Sequence, residues 1–473
     1  MSLKPYPEYK DSSVAWLGEV PGHWGMERAK WLFRKMDRPV QESDEVVTCF
    51  RDGVVTLRKN RRVRGFTESL KEIGYQGIRR GDLVIHAMDA FAGAVGVADS
   101  DGKGTPVYSV CETAEGVSPQ YYAYTVREMA RSQWILAMAK GIRERSTDFR
   151  FDGFASQRVP LPPPEEQSAI VHFLDHADRH IRRYIRAKQK LIKLLEEQKR
   201  AIIHRAATRG LDPDVRLKPS GVEWLGEVPE HWEVVRVKEL TTPIEQGWSP
   251  QCDAQPAAEH EWGVLKVGCV NGDAFDERQN KKLPSTLAPI PDLQIRHGDI
   301  LVSRANTREL LGLAALALNP RAKLILCDKL FRFRAIPEQA DPRFLVYAMR
   351  QSTSRVQIES STNGASDSMQ NIGQGVVRNL LLALPPLDEQ REIVATLEAK
   401  ISAIRIAIAH AHREISLLRE YRTRLIADVV TGKLDVRGVM GTLRFAHPTE
   451  AAEQEDEELP DDDEYPTDPE AET

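Results

Sequence analysis

Five basic side chains stand within eight residues, between Leu57 and Arg64, and an aromatic ring follows at Phe66. Arginine and lysine neutralise phosphates, and arginine also donates two hydrogen bonds to the edge of guanine. The cluster predicts a surface that contacts nucleic acid, although a solubilising surface loop has the same composition. Its members are Arg58, Lys59, Arg61, Arg62 and Arg64.

A second set of side chains suited to reading bases follows an apolar run at 298–302. It consists of Arg304, Asn306 and Arg308. Arginine reads guanine and asparagine reads adenine in the major groove, so we expect these three residues on a surface that contacts DNA. The polar stretch 363–368 can do likewise, but loops of its composition usually have no specific role.

Three histidines, His172, His176 and His180, are spaced by four residues and therefore share one face of a helix. Two histidines at this spacing can chelate zinc. Three arginines crowd the same stretch, between 179 and 183. A solvated polar face is the favoured interpretation, and no metal site is predicted.

The motifs of common enzyme classes are missing from the sequence. It has no G-x-x-x-x-G-K-[S/T] loop, no G-x-G-x-x-G after a strand, no G-x-S-x-G elbow and no [Asn/Asp]-Pro-Pro-aromatic tetrapeptide. A nuclease site of the Asp…Glu-x-Lys type can hide in almost any chain, so an enzyme stays an alternative. The favoured interpretation has no catalytic residues, no metal ligands and no cofactor bound by this chain.

Two internal repeats frame these segments. Residues 16–24, Trp-Leu-Gly-Glu-Val-Pro-Gly-His-Trp, return at 224–232, and Pro-Pro-Pro-Glu-Glu-Gln at 162–167 returns as Pro-Pro-Leu-Asp-Glu-Gln at 385–390. The two repeats therefore stand in different registers. The stretches between them, about 30–160 and 240–383, match each other only faintly. We call the repeated segments the frame and the stretches between them the inserts. A duplicated frame with two divergent inserts predicts two domains that recognise different targets on one scaffold.

Two long helices are predicted after the proline-rich repeats, roughly over 165–208 and 388–431. Their apolar residues alternate at spacings of four and three, which is typical of helices that pack along a seam. We expect the two helices to pair with each other, and a homodimeric coiled coil is the alternative. The seam positions are Leu174, Ile181, Ile185, Lys188, Ile192, Leu195 and Ile202, and Leu397, Ile401, Ile404, Ile408, Ala411, Ile415, Leu418 and Leu425. Lys188, which faces Ala411 in the repeat, is a polar position of the kind that fixes register.

Each insert predicts a mixed α/β domain with the same order of elements. A Gly-Asp dipeptide opens an apolar strand, at 81–85 and at 298–302. A short helical stretch follows, at 120–138 and at 343–349. A last apolar strand then runs into the prolines, at 158–161 and at 379–384. The inserts are therefore predicted to be diverged copies of one domain.

The composition is typical of a folded, soluble chain, with 41% hydrophobic and 7% aromatic residues. The sequence has no stretch of 18 apolar residues and no signal-like N-terminus, which predicts a cytoplasmic protein without a membrane span. Its five cysteines include no Cys-x-x-Cys pair, which predicts reduced thiols. Residues 450–473 carry 13 acidic side chains and no lysine or arginine, and are expected to be disordered. Without them, 65 basic residues face 57 acidic ones, which permits a polyanionic partner.

The doubled Glu-Gln motif before a long helix, the Thr-x-x-Leu-Asp at each helix end and the Trp-Leu-Gly-Glu-Val-Pro-x-His-Trp element resemble the specificity subunit of a Type I restriction–modification system. The resemblance covers residues 10–440. It implies a non-catalytic subunit whose two target-recognition domains each contact one half of a split, asymmetric double-stranded DNA site. It also implies that the helices set the spacing and dock two methyltransferase subunits, which a restriction/translocase subunit joins. S-adenosylmethionine, ATP and Mg²⁺ would then be bound by those partners.

The expected fold is α/β (α+β), with two globular target-recognition domains in a pseudo-twofold arrangement joined by two long antiparallel helices in an intramolecular coiled coil. Because one copy of the Trp-Leu-Gly element stands at 16–24, the N-terminal segment is expected to complete the C-terminal half of the scaffold. A coiled-coil adaptor that binds two proteins instead of DNA is the remaining alternative. The predicted parts are the N-terminal segment 1–30, the first recognition domain 31–161, the central repeat 162–235, the second recognition domain 236–384, the distal repeat 385–440 and the acidic tail 441–473.

Overall fold

The structure, a computed structural model, describes residues 3–61, 73–138, 148–361 and 370–439 of the chain. Its chain divides into two compact units. The first unit is formed by residues 1–189 and 412–473, and the second by residues 190–411. The acidic tail and the polar stretch 363–368 lie outside the described residues.

The helices of the described residues confirm the two long helices that the sequence predicts. The α-helices are α1 (Ala29–Leu32), α2 (Pro119–Arg131), α3 (Trp134–Met138), α4 (Phe151–Ala155), α5 (Pro164–Arg209), α6 (Val237–Leu240), α7 (Pro342–Met349), α8 (Ser352–Ser360), α9 (Gln374–Asn379) and α10 (Leu387–Val430). The predicted helical stretch 120–138 is broken between α2 and α3, where Gln133 has a φ of 60°. An L-residue with that φ does not continue an α-helix.

The two long helices begin at the proline-rich repeats because a proline tolerates the first helical turn and acidic residues there favour the helix dipole. Glu165 and Glu166 occupy the first turn of α5, and Asp388 and Glu389 occupy that of α10. With 46 and 44 residues, each helix is about 65–70 Å long. Each helix runs through both units, so that each unit holds one part of α5 and one part of α10.

The long helices run antiparallel where they meet inside the first unit. Asp178 of α5 pairs with Arg422 of α10, and Lys188 Nζ lies 2.5 Å from Glu414 Oε2. In the second unit, Ile202 of α5 packs against the core that contains Leu397 of α10. The predicted seam positions are buried or half-buried throughout both helices. Lys188 is thus a half-buried seam residue whose charge is paired across the two helices.

The first unit contains a four-stranded antiparallel sheet with the strand order β4-β11-β8-β9. Its core includes Val47, Ile78, Val84 and Val110. The strands of this unit are β1 (Tyr9–Asp11), β2 (Glu19–Pro21), β3 (Gly25–Arg28), β4 (Phe33–Lys35), β5 (Val47–Cys49), β6 (Val55–Leu57), β7 (Gln76–Ile78), β8 (Leu83–His86), β9 (Val95–Val97), β10 (Gly102–Gly104), β11 (Tyr108–Thr113) and β12 (Arg158–Leu161).

The second unit repeats this sheet with the order β16-β23-β19-β21, again antiparallel. A separate three-stranded sheet, β18-β17-β22, lies beside it over a second core. The strands are β13 (Leu217–Pro219), β14 (Glu227–Pro229), β15 (Glu233–Arg236), β16 (Glu245–Gln246), β17 (Gly263–Leu265), β18 (Asn280–Lys282), β19 (Ile300–Ser303), β20 (Ala305–Asn306), β21 (Ala314–Leu316), β22 (Leu324–Ile325), β23 (Leu330–Phe333), β24 (Gln370–Asn371) and β25 (Leu381–Leu384).

The Gly-Asp dipeptide has the same structural role before β8 and before β19. Gly81 and Gly298 have φ values of 93° and 87°, a region that favours glycine. The aspartates that follow are buried and accept a hydrogen bond from the backbone N–H three residues earlier, at 2.7 Å for Asp82 and 2.8 Å for Asp299. The dipeptide therefore turns the chain into the central strand, which explains why both inserts carry it.

Each insert begins and ends on one antiparallel strand pair. In the first unit, β3 pairs with β12, the strand that leads into the prolines. In the second unit, β15 pairs with β25 in the same way. The strands on which the chain enters and exits each insert therefore lie side by side, which is the geometry of an inserted domain.

A buried carboxylate joins the two repeated motifs in the first unit. Glu166, whose side chain is 4% exposed, accepts hydrogen bonds from Trp24 Nε1 at 2.9 Å and from the Tyr6 hydroxyl, and His23 Nε2 lies 2.8 Å from it. Burial and the Glu166 carboxylate raise the pKa of Tyr6, so the phenol stays a donor. The repeat at 16–24 is thereby fixed to the start of α5.

The second unit contains the same arrangement in a more open form. Glu389 accepts from Trp232 Nε1 at 3.2 Å, and its other oxygen lies 2.7 Å from His231 Nε2. The Glu389 side chain is 26% exposed. Glu166 receives a third side-chain hydrogen bond from Tyr6. No residue in the described part of the chain gives Glu389 an equivalent bond.

The glutamine that follows each of these glutamates binds the insert. Gln167 Oε1 accepts from the backbone N–H of Ser118, the N-cap of α2, at 2.9 Å. Gln390 Oε1 accepts from the backbone N–H of Asp341, the N-cap of α7, at 2.8 Å. The Glu-Gln pair therefore attaches both the frame and the insert to the first turn of a long helix.

The N-terminal segment also contacts the end of α10 within the first unit. The N–H of Asp435 donates to the carbonyl of Lys4 at 2.8 Å. Gly432 has a φ of 78°, and a Cβ there would lie 2.4 Å from Pro21 Cδ. A side chain is therefore excluded at Gly432 on both grounds.

We predict that Glu166→Gln lowers the opening free energy of the first unit more than Glu389→Gln lowers that of the second unit. The amide keeps the size of the side chain but removes the charge, which costs about 3 kcal/mol at the buried site with three donors and about 1 kcal/mol at the half-buried one. Native-state hydrogen exchange of residues 20–28 and 228–236 measures the two opening free energies. Glu165→Gln, at an exposed neighbouring position, is the control that leaves both unchanged. Equal losses at the two sites would contradict the ranking.

Candidate nucleic-acid interface

The basic cluster of the first insert begins at the end of the β5–β6 hairpin. Arg58, Lys59 and Asn60 form a short 3-10 turn directly after β6. Arg58 Nε donates to Thr48 Oγ1 at 3.2 Å, and the Lys59 ammonium lies 2.5 Å from the Glu45 carboxylate. The structure therefore places these two cations side by side on one turn.

Arg61 closes the described part of the cluster. Its guanidinium lies 2.6 Å from Asp52 and 4.7 Å from the centre of the Phe50 ring. Arg62 and Arg64 lie outside the described residues. The ion pairs of Lys59 and Arg61 are partly exposed, and such pairs contribute little to stability. A phosphate can therefore replace the carboxylate at small cost.

The candidate residues of the second insert lie where β19 continues into β20. Arg304 is half-buried, with its guanidinium 5.7 Å from the centre of the Phe331 ring and one nitrogen donating to the carbonyl of Asp328 at 3.2 Å. Asn306 belongs to β20, which pairs with β24. Arg308 is the most exposed of the three and lies 3.5 Å from Glu359.

Asn306 is held by a residue that the sequence did not single out. Its amide nitrogen donates to Asn271 Oδ1 at 3.1 Å, and its own oxygen accepts from the N–H of Thr307 at 2.9 Å. Asn271 stands in the other half of the insert, in a stretch without a repeat or a charge pattern, so no sequence signal pointed to it. Arg304 and Asn306 are thus engaged inside the insert, whereas Arg308 reaches the surface. Their contact with DNA stays a prediction, as does that of Arg58, Lys59 and Arg61.

Two of the three predicted histidines of α5, His176 and His180, lie close together. The rings of His176 and His180 are 4.3 Å apart between centres. Burial, together with the neighbouring His180 and Arg179, lowers the pKa of His176. Within 3–61, 73–138, 148–361 and 370–439, no group of three His, Cys, Asp or Glu side chains is suited to hold a metal ion.

Apolar side chains are exposed at matching positions of the two long helices. The repeat that aligns 162–167 with 385–390 continues along the helices and aligns Leu194 of α5 with Leu417 of α10. These leucines are 54% and 53% exposed. In the first unit Leu417 lines a groove together with Leu3, Tyr421 and Leu425. Each long helix therefore carries an exposed leucine at the same position of the repeat. None of the helices in the described residues is long and apolar enough to cross a membrane.

The family model of the Type I restriction modification DNA specificity domain matches residues 229–415. The range includes the whole second insert and about the first two thirds of α10. It therefore covers Arg304, Asn306 and Arg308.

Two curated relatives extend this match. The Type I restriction enzyme EcoEI specificity subunit of Escherichia coli is 31% identical over 211 residues, which are 44% of this chain and 35% of that protein. The MjaVIII specificity subunit of Methanocaldococcus jannaschii is 26% identical over 294 residues, 60% of this chain and 64% of that protein. The aligned region thus spans between a third and two thirds of these relatives.

A solved structure shares the fold over most of the chain. It comes from work on complex assembly and conformational transition of the type I R-M system, and it aligns with a TM-score of 0.64 at 17% identity, covering 88% of this chain and 99% of that one. The likeness confirms the predicted fold class, in which two α/β domains are combined with two long helices. Residues 229–415 thus match a Type I restriction modification DNA specificity domain, and the chain is similar to Type I specificity subunits in sequence and in fold.

Proposed function

We propose that this chain is the sequence-specific DNA-binding subunit of a Type I restriction–modification complex. In this proposal each insert reads one half of a bipartite, asymmetric site in double-stranded DNA, and the long helices set the gap between the halves. The observation that carries the proposal is the match of a DNA specificity domain to residues 229–415, in a chain that contains a second, diverged copy of the same sheet and helix order.

The proposal assigns no catalytic residue to this chain. Methylation and cleavage, with S-adenosylmethionine, ATP and Mg²⁺, would belong to methyltransferase and restriction/translocase subunits in the cytoplasm. The sequence supports this division, since it lacks the motifs of those activities.

Two copies of one methyltransferase subunit would dock on the long helices. The support for this step is the pair Leu194 and Leu417, an exposed leucine that recurs at one position of the helical repeat. A repeated surface suits two identical partners, because each copy can make the same contacts. The restriction/translocase subunit would join through these partners.

Exchange of one insert tests the proposal directly. Replacing residues 31–161 by the same insert of a relative should change one half of the methylated sequence and leave the other half intact, because the insert begins and ends on the β3–β12 pair. Methylated positions are mapped by single-molecule sequencing of host DNA that carries the assembled complex.

The reciprocal exchange of residues 236–384 is the matched control, and it should change the other half. A change of both halves by either exchange would contradict two independent readers. A complex that methylates no defined sequence would contradict the proposed function as a whole.

The gap between the half-sites should follow the length of the helices. Four residues inserted into both helices, after Lys188 and after Ala411, add about 6 Å of helix, which corresponds to one or two base pairs at about 3.4 Å each. The methylated site should keep both half-sequences and gain that gap. The same four residues placed after Gly221, a glycine with positive φ and open space where a Cβ would lie, should leave the gap as it was. An active complex with the original gap after the helix insertion would show that the helices do not set the spacing.

The basic turn of the first insert should contribute phosphate contacts. Replacing Arg58, Lys59 and Arg61 by alanine should reduce the slope of log K against log salt by about one unit for each phosphate that is no longer neutralised. Binding of the assembled complex to its site is measured between low and physiological salt. The control is Arg34→Ala, an exposed arginine of the same insert that lies 2.5 Å from Glu112. An unchanged slope in the triple variant would assign the turn a solubilising role only.

A further inference from the structure

A short loop of the second unit contacts both a long helix and the segment that contains Arg304, Asn306 and Arg308. The loop consists of residues 271–274 and follows the 3-10 helix Val267–Val270. Cys269 and Val270 of that helix are completely buried in the core of the insert. The base of the loop is therefore fixed, and its polar side chains are held at defined positions.

On the helix side the loop supplies a carboxylate to a buried lysine and a half-exposed arginine. Asp273 Oδ2 accepts a hydrogen bond from Lys199 Nζ of α5 at 2.7 Å and lies 3.9 Å from the guanidinium of Arg405 of α10. The Lys199 side chain is only 6% exposed and also lies 2.5 Å from Glu196. A buried ammonium that loses a carboxylate partner is destabilised, so this contact holds the loop against the helices.

The charges around Asp273 favour its ionised form. Burial of Asp273 acts to raise its pKa, but the hydrogen bond and charge of Lys199, with the charges of Arg405 and Arg350, outweigh burial and lower it. Lys199 shows the matching balance, since burial lowers its pKa while Asp273 and Glu196 raise it above the ordinary value. Both groups are therefore charged at neutral pH.

On the other side the loop orients Asn306. Asn271 Oδ1 accepts from the Asn306 amide nitrogen at 3.1 Å, and that nitrogen also lies 3.4 Å from the carbonyl of Leu310. Arg308 follows two residues later. A movement of the loop relative to α5 would therefore move the segment 304–308 as well.

In the first unit a carboxylate of the long helix itself pairs with the equivalent cations. The repeat that aligns 162–167 with 385–390 also aligns Lys199 with Arg422 and Arg182 with Arg405. Asp178 pairs with Arg422 and, at 2.8 Å, with Arg182. Asp178 belongs to α5 itself. The helix thus provides in one unit the carboxylate that the insert provides in the other.

The geometry points to Lys199 and Asp273 as positioning residues for the second half-site: the Asp273 loop is a strut that fixes the reading segment Arg304–Arg308 on the spacer helix α5. Neither residue is assigned a contact with DNA. This inference rests on the proposed function for its consequence in DNA reading, while the strut itself is a property of the folded chain.

The strut is tested first in the chain without DNA. Asp273→Asn removes the charge at a half-exposed loop position without altering a helix, and Lys199→Met removes the other partner. Each should raise the hydrogen-exchange rate of the amides of residues 304–308 about tenfold, since a hydrogen bond between charged groups is removed. The amides of β19 are the internal reference and should not change. The double variant should exchange no faster than either single one, because both remove the same contact.

The effect on reading is tested in the assembled complex. Methylation rates are compared for the intact site and for sites with one base changed in either half. Asp273→Asn should reduce discrimination about tenfold in the half that the 236–384 exchange assigns to the second insert, and should leave the other half unchanged. Arg422→Met, at the position related to Lys199, is the control and should leave discrimination in that second half unchanged.

The outcomes of these experiments test the strut and the proposed function independently. Unchanged exchange at 304–308 in Asp273→Asn would overturn the strut. Faster exchange with unchanged discrimination in both halves would overturn the positioning role. A wild-type complex that reads no sequence would overturn the proposed function and the positioning role together, and the exchange rates alone would then decide whether the strut exists.

Discussion

A hydrogen-bonded carboxylate at the start of a long helix, buried in the first unit and partly exposed in the second, is the constraint that joins the repeated motifs of each unit. Glu166 lies at the first turn of α5 with almost no access to solvent, and an unpaired charge there would be costly. Its partners, Trp24 and His23, come from a motif that lies far earlier in the chain, before the whole first insert. Folding of the unit therefore requires that these two distant motifs meet, and Glu389 imposes a weaker form of this requirement with Trp232 and His231 in the second unit.

The strand pair beside each carboxylate explains how the inserts can differ while the frame stays the same. β3 with β12, and β15 with β25, join the strand that leads into each insert to the last strand of that insert through backbone hydrogen bonds. Backbone pairing does not depend on the side chains of the residues between the two strands. The insert is thus held by its ends and by one glutamine at a helix N-cap, and its remaining contacts with the long helices differ between the two units.

Periodic and repeated features of the sequence were sufficient to predict the frame. The long helices follow from the sustained four-three spacing of the seam, and the matched inserts follow from the shared order of strand, helix and strand. The carboxylate contacts could have been found as well, because the Glu-Gln and His-Trp motifs are duplicated together. The break at Gln133 could not, since a single residue with positive φ leaves no trace in a helical pattern.

The candidate reading residues show a different limit of the sequence. Arginine and asparagine after an apolar strand predicted exposed side chains, yet Arg304 is half-buried and Asn306 is bound by Asn271. Side chains of this kind serve equally well to read bases and to satisfy polar groups inside a domain. The partners of such side chains are distant in the chain and follow no sequence pattern. Only the fold therefore shows which of the two roles a side chain has.

The two units attach their inserts to the helices by contacts of different chemistry. In the first unit the hydroxyl of Tyr124 on α2 donates to Asp175 of α5 at 2.9 Å. In the second unit Arg343 on α7 pairs with Glu398 of α10 at 2.8 Å, and Asp273 pairs with Lys199. Ion pairs at partly exposed positions are screened by salt, whereas a hydrogen bond from a neutral phenol is screened much less. Of these contacts, the ion pairs of the second unit are therefore expected to weaken as ionic strength rises, whereas the hydrogen bond from Tyr124 in the first unit is expected to change little.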